Sequence, residues 1–341
     1  MKIELYPPKD IHEIGNRQNQ EDAIFPLDGN ATETDRLFVL CDGMGGHERG
    51  EVASAAISHG LSQWVGKQVD TATVVTDEQV RQAIEHAYQE LDAKDNGSFR
   101  KAGTTMTMLL FHKGGCTAAH IGDSRIYHMR PSDHSILYIS RDHSLVFQLY
   151  QTGEITREEM KTHPQKSKIT RAMMPGKDNR QKADIVHITD IKPGDYFFLC
   201  SDGILEKLDD DELLQILASD KSDEEKKQQL VALTANNDDN HSAYLVHVKD
   251  VTSENGDDTL ANDEQTVRFN AVNIHPVYAP ETQAPATTDK PEALRKSSTE
   301  QTAQQESVPT RKSNSRRRWA TVIATLAAVI AAGIACWLLL K

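Results

Sequence analysis

The chain has few cysteines, no excess of basic charge and no apolar run at its start. Its four cysteines, Cys41, Cys116, Cys200 and Cys336, show neither CxxC spacing nor a pairing pattern. That argues against a disulfide scaffold and fits a reducing cytoplasm. The formal net charge is −13, which speaks against a nucleic-acid partner, because such binding rests on a basic surface. The opening MKIELYPPKD has no apolar core, so no secretory signal is expected. The glycines of Gly43–Gly46 lack the GK[ST] ending of a P-loop and the spacing of a dinucleotide fingerprint. They suit a tight turn instead.

What the chain does have is a series of acidic residues in turn-forming segments far apart in sequence. These read GNRQNQED (Gly15–Asp22), LCDGMGG (Leu40–Gly46), IGDSR (Ile121–Arg125), CSDGI (Cys200–Ile204) and DDNHS (Asp238–Ser242). Apolar, strand-like runs precede several of them: Leu37–Cys41, Cys116–Ile121 and Tyr196–Cys200. Carboxylates placed at strand ends can converge over one point, where their repulsion is costly unless cations neutralise it. Oxygen ligands without a matching His or Cys set suit hard ions such as Mg²⁺ or Mn²⁺. The pattern implies a metal-ion hydrolase.

Around these turns, the periodicity predicts an α+β domain over residues 1–249. Ser54–Val65 has helical spacing, and Thr76 with Gln79 resembles a capping box opening a helix through Leu91. Thr105–Phe111, Cys116–Ile121, Arg125–Met129 and Ser135–Ile139 are expected to form consecutive antiparallel hairpins. Asp210–Ala218 and Ser222–Leu233 are expected helices, the second capped by Ser222 and Glu225, and Ala243–Val248 a closing strand. Residues 250–318 read as a flexible linker ending in a basic cluster; within it Thr266–Tyr278 alternates loosely, as a linker or a short docking strand. Trp319–Leu340 is uncharged and apolar, about 33 Å long as a helix, enough to span a bilayer. Trp319 and Trp337 lie near its ends. Arg311, Lys312 and Arg316–Arg318 precede it while only Lys341 follows, so its N-terminal side is expected in the cytoplasm.

Taken together, GNRQNQEDA, FVLCDGMGGHERGEVAS, AGTTMTMLL, IGDSRIY, SRDHS, GEITREEM with KITRAM, FFLCSDGI and DDNHSAYLV resemble the metal-dependent type 2C serine/threonine protein phosphatases, bacterial branch. The resemblance spans Gly15 to Val246. It implies a central sandwich of two antiparallel β-sheets flanked by helices, with a two-metal centre at one edge. It makes Asp42 the carboxylate bridging both metals. Asp202 and Asp239 would complete the first metal's ligands; Glu21 and the Gly43 carbonyl would serve the second. Asp22 falls on an outer-shell position and Asp123 where many bacterial members hold a third, weaker metal. Arg17 matches the residue gripping the substrate phosphate, a task suited to a guanidinium fork.

The implied reaction is hydrolysis of phosphoserine and phosphothreonine by a hydroxide bridging two Mn²⁺ or Mg²⁺ ions. No CxxxxxR cysteine-phosphatase loop and no DxDxT nucleophile is found. Met44 replaces the histidine that animal members use as general acid, leaving the proton donor open between water and His47. His143 reads as a support for its turn. Ser144–Arg171 matches the flap beside the active site, or a connecting segment with helical parts. Partners implied are phosphoproteins and serine/threonine kinases or their targets. Two alternatives remain: a catalytically silent regulatory module that binds phosphoproteins, and a two-metal hydrolase of another phosphoester.

Overall fold

The computed structural model describes residues 1–45, 49–95 and 102–252. His47, the Thr266–Tyr278 segment, Cys336 and the apolar stretch 319–340 lie outside them. Among the described residues, no helix is long and apolar enough to cross a membrane.

Two antiparallel sheets pack face to face. In the first, β1 (Lys2–Leu5), β12 (His241–Thr252), β11 (Tyr196–Cys200), β8 (Arg125–Arg130) and β9 (Ser135–Ile139) are neighbours in that order, and β2 (Lys9–Glu13) also pairs with β12. The second runs β10 (Asp184–Ile188), β7 (Gly115–Ile121), β6 (Met106–His112), β4 (Leu37–Met44) and β3 (Asp22–Phe25), with β5 (Gly103–Thr104) beside β4. Helices α1 (Arg49–Gln68) and α2 (Asp77–Lys94) cover the second sheet; α5 (Asp202–Leu205), α6 (Asp210–Leu217) and α7 (Asp223–Thr234) lie against the first.

Strand alternation explains these layers. Phe38 and Leu40 of β4 turn inward to meet Phe197, Leu199, Tyr244 and Val246 between the sheets, while Val39 and Cys41 turn outward to the α1–α2 layer. Likewise Tyr196, Phe198 and Cys200 face the α5–α7 layer. Both faces of these central strands are covered, so they read as continuous apolar runs. The edge-on contacts Phe38–Tyr244 and Phe111–Phe197, with centroids 5.4 and 5.2 Å apart, join the two sheets. Cys41, Cys116 and Cys200 are buried and free, acting as small apolar fillers.

The α+β reading is met, with the capping boxes at Thr76/Gln79 and Ser222/Glu225. Four features differ from expectation. The four central strands do not form one run of hairpins: β6–β7 and β8–β9 are separate hairpins in opposite sheets. The chain changes sheet at Gly122–Ser124, so the turn carrying Asp123 is a crossover at the sandwich edge. Strands β1, β2, β3 and β10 go beyond the sequence reading, because each is only four or five residues long, too short for a periodicity to show. Finally, β12 continues through Asp250–Thr252, paired with Lys2–Glu4 of β1, so the strand runs into the stretch read as linker.

Candidate metal centre

The acidic turns do converge, but not all as turns. Asp42 lies inside β4 and stands directly opposite Asp22 of β3; Asp202 is the first residue of α5. Asp123 sits in the β7–β8 crossover, and Asp239 in the loop entering β12. The strand ladder, rather than a loop, therefore fixes the central carboxylate.

Backbone contacts hold this arrangement. The Asp42 N–H donates to Thr105 Oγ1 at 2.9 Å, and the Asp42 carbonyl accepts from the Thr105 N–H at 2.8 Å and from Thr104 Oγ1 at 2.9 Å. The next residue, Gly43, donates its N–H to the Glu21 carbonyl at 3.1 Å. A Cβ on Gly43 would stand 2.3 Å from the Gly50 carbonyl oxygen. Here only glycine lets β4, the Glu21 turn and the start of α1 close together. Ser54 of α1 adds a hydrogen bond to the same Glu21 carbonyl.

The Asn240 side chain braces the other side. Its Oδ1 accepts from the Glu21 N–H at 2.8 Å, and its Nδ2 donates to the carbonyls of Ile14 and Asn19. One side chain thus ties the Gly15–Glu21 loop to the Asp239 turn. Arg17, about half exposed, places Nη2 2.7 Å from Asp239 Oδ2.

The electrostatics are those of crowded, dehydrated carboxylates. Burial, then the charges of Asp22, Asp202, Asp123 and Asp239, pushes Asp42 well above the usual carboxylate range. Burial, with Asp239 nearby, raises Asp202 to about 6. Asp123 is driven upward by burial and by Asp202. Burial also raises Glu21. Asp22 is pushed up to about 7 by burial, although Ser242 Oγ at 2.7 Å and Ser201 Oγ at 3.0 Å both donate to its Oδ2. Asp22 Oδ1 and Asp123 Oδ1 are buried without any partner. Buried acceptors with no donor are costly. An oxygen-rich set carrying orphaned acceptors fits Mn²⁺ or Mg²⁺.

The structure thus brings together Glu21, Asp22, Asp42, Asp123, Asp202 and Asp239 as expected, with Arg17 at their edge. The supporting residues Thr105, Ser201, Asn240 and Ser242 had no assigned role. All four lie within the quoted motifs, which was the available signal. His143 supports its turn as expected: its Nδ1 accepts from the Gly122 N–H at 3.1 Å, next to Asp123. His120, His143 and Asp184 also approach one another within 4.8 Å. That cluster suits no cation, because the Arg171 guanidinium already lies 3.1 Å from His143 Nε2 and 3.2 Å from Asp184 Oδ1.

An αββα sandwich with a buried carboxylate centre at one edge defines a hydrolase class, and comparison with known proteins agrees. The family model for protein phosphatase 2C matches residues 12–236. Protein phosphatase PhpP of Streptococcus pneumoniae is 34% identical over 212 residues, covering 60% of this chain and 80% of that one. The crystal structure of the Mycobacterium tuberculosis serine/threonine phosphatase PstP superposes with a TM-score of 0.63 at 28% identity, covering 72% of this chain and 100% of that chain. A structure of the PstP catalytic domain with two manganese ions gives a TM-score of 0.61 at 27% identity, covering 73% and 100%. The chain belongs to the protein phosphatase 2C family. It is accordingly a metal-dependent protein-serine/threonine phosphatase whose cofactor is Mn²⁺ or Mg²⁺.

Proposed function

We propose that this enzyme is a membrane-anchored phosphatase that cleaves phosphoserine and phosphothreonine by direct attack of water, with no phosphorylated side chain. The observation that carries the reading is the meeting of buried and half-buried carboxylates, two with orphaned oxygens, beside Arg17. In this reading Asp42 would contribute to holding both cations, Asp202 and Asp239 would help hold the first, and Glu21 with the Gly43 carbonyl would help hold the second. Asp22 would sit outside them and order their water, and Asp123, with Asp202, would help hold a third. When bound, the cations supply the positive charge that makes water nucleophilic near neutral pH and offsets charge on the phosphoryl group.

The protein's own groups do the rest. Arg17 offers its remaining N–H donors to the phosphate oxygens and, through Asp239, is held in register with the carboxylates. The Thr104, Thr105 and Asn240 hydrogen bonds keep Asp42 and the Glu21 loop from shifting during the reaction. Met44 has no proton to give, so the leaving alkoxide takes its proton from water or from His47.

The remaining parts of the proposal concern place. Residues 1–252, through the end of β12, form the catalytic domain, 253–318 a linker and 319–340 a single span, with the catalytic domain cytoplasmic. The anchor would raise the effective concentration of membrane-bound phosphoproteins, including serine/threonine kinases or their substrates. Mn²⁺-dependent phosphate release from a phosphothreonine peptide tests the centre. It should fall by about 10³-fold or more in Asp42→Asn and Asp239→Asn variants. Undiminished turnover in both would sink the ligand assignment.

A further inference from the structure

Residues 157–182 carry eight Lys and Arg against three Asp and Glu, in a chain whose net charge is −13. This reversal of sign falls on one continuous segment. It starts at α4 (Arg157–Thr162), which follows the short helix α3 (Leu145–Gln151), and ends just before β10.

Three separate tethers lay the segment along the rim of the metal centre. Lys166 Nζ lies 3.4 Å from Glu206 Oε1, and the Glu206 N–H donates to the carbonyl of Asp202. Ile169 bridges to Ser144, and the Thr170 N–H donates to the carbonyl of His143, whose ring supports the Asp123 turn. Met173 bridges to Thr104, the residue whose hydroxyl donates to the Asp42 carbonyl. The segment therefore passes Asp202, Asp123 and Asp42 in turn.

Its eight cations divide into three groups, of which Arg171, paired with Asp184, and Arg180, paired with Glu85 and Asp92 of α2, fix the end of the segment nearest β10. Arg157, Lys161 and Lys166 pair with Asp210, Asp209 and Glu206, which fastens the segment to the turn after α5. Lys168, Lys177 and Lys182 are exposed and form no ion pair among the described residues. Lys168 stands at the rim, between Lys166 and the Thr170 tether. Behind the Arg180 ion pair, Lys177 adds to the positive charge that holds Asp92 of α2 below the usual carboxylate range; the chain as a whole carries a net charge of −13.

We infer that the segment around Lys168, Lys177 and Lys182 is a docking strip for acidic residues flanking the phosphorylated residue of a protein substrate. The inference rests on the protein-substrate reading above and adds the charge class of that substrate. A local strip attracts a short acidic peptide within the Debye length of about 8 Å at physiological salt. A long polyanion, such as nucleic acid or an anionic membrane, would also meet the acidic remainder of the surface.

The test uses the full chain in detergent with Mn²⁺ and phosphothreonine peptides bearing acidic, uncharged or basic flanks. Turnover and peptide-binding anisotropy are measured in parallel. Wild type is expected to favour the acidic over the uncharged peptide by about tenfold in kcat/KM, and the ratio should shrink toward one at high salt. The combined variant Lys168→Gln, Lys177→Gln, Lys182→Gln should lower the ratio to about two, and the corresponding Glu replacements should turn it toward the basic peptide. Equal use of all peptides by wild type, or a preference that survives both variants, overturns the inference. So does a loss of preference accompanied by strong inhibition from anionic vesicles, which would assign the strip to lipid. Selective binding without turnover would leave the strip standing and refute the catalytic reading instead.

Discussion

Asp22 of β3 and Asp42 of β4 stand directly opposite each other across an antiparallel pair, in a site both share with Asp202. Like charges at such a position destabilise a sheet. The fold keeps them there because Thr105 and Thr104 fix the Asp42 backbone while Ser201 and Ser242 satisfy only one oxygen of Asp22. The unsatisfied remainder is the measurable imprint of the cations the site is built to hold.

That imprint should appear as a pH dependence of stability without metal. Folding raises Asp22 to about 7 and Asp202 to about 6 from an ordinary 3.8. Groups with a raised folded pKa bind more protons when folded. Their stabilising contribution is therefore complete below about pH 4 and is lost as pH rises through 6 to 7. In EDTA the protein should melt several degrees lower at pH 8 than at pH 5.5. Mn²⁺ should reverse the order, and Asp22→Asn should flatten the metal-free trend. Calorimetric melts showing the same pH slope with and without Mn²⁺ would contradict this.

Arg17 is held by Asp239 at 2.7 Å. Arg17→Ala should lower kcat/KM for a phosphothreonine peptide by about 10- to 100-fold, the loss expected for a charge-assisted contact. Arg17→Lys should recover only part, because an ammonium cannot present a fork. Full activity in the alanine variant would remove Arg17 from phosphate binding.

Two glycines test the close approaches. Besides Gly43, a Cβ on Gly203 would stand 2.1 Å from the Asn240 carbonyl oxygen. Gly43→Ala and Gly203→Ala should each destabilise by about 1–3 kcal/mol, as overpacking does. Activity should fall further than stability, since the displaced backbones carry Asp42, Asp202 and Asp239. Denaturant titration beside kinetics checks this; variants as stable and active as the parent would refute the packing argument.

Removing residues 319–341 should move the protein from the membrane to the soluble fraction with activity on a soluble phosphopeptide retained. Fractionation of the intact chain supplies the control. If that chain is already soluble, the anchor proposal fails.

Much of the fold and centre was legible in the sequence because those features are local. Tyr196–Cys200 and Ser135–Ile139 match their strands residue for residue, since an apolar run bounded by turns needs no distant information. The Thr76 and Ser222 capping boxes are likewise set by side chains three residues apart. Each acidic turn announced a carboxylate, and the shared motif order announced the family. Tertiary structure alone decided how those carboxylates meet. It placed Asp42 within a strand opposite Asp22, and it sent β8 and β9 to the other sheet so that Asp123 occupies the crossover. It also recruited Asn240 to clamp a loop more than two hundred residues earlier in the chain. Strand pairing and hydrogen bonding between distant segments depend on which faces bury together. Local periodicity carries no record of that choice.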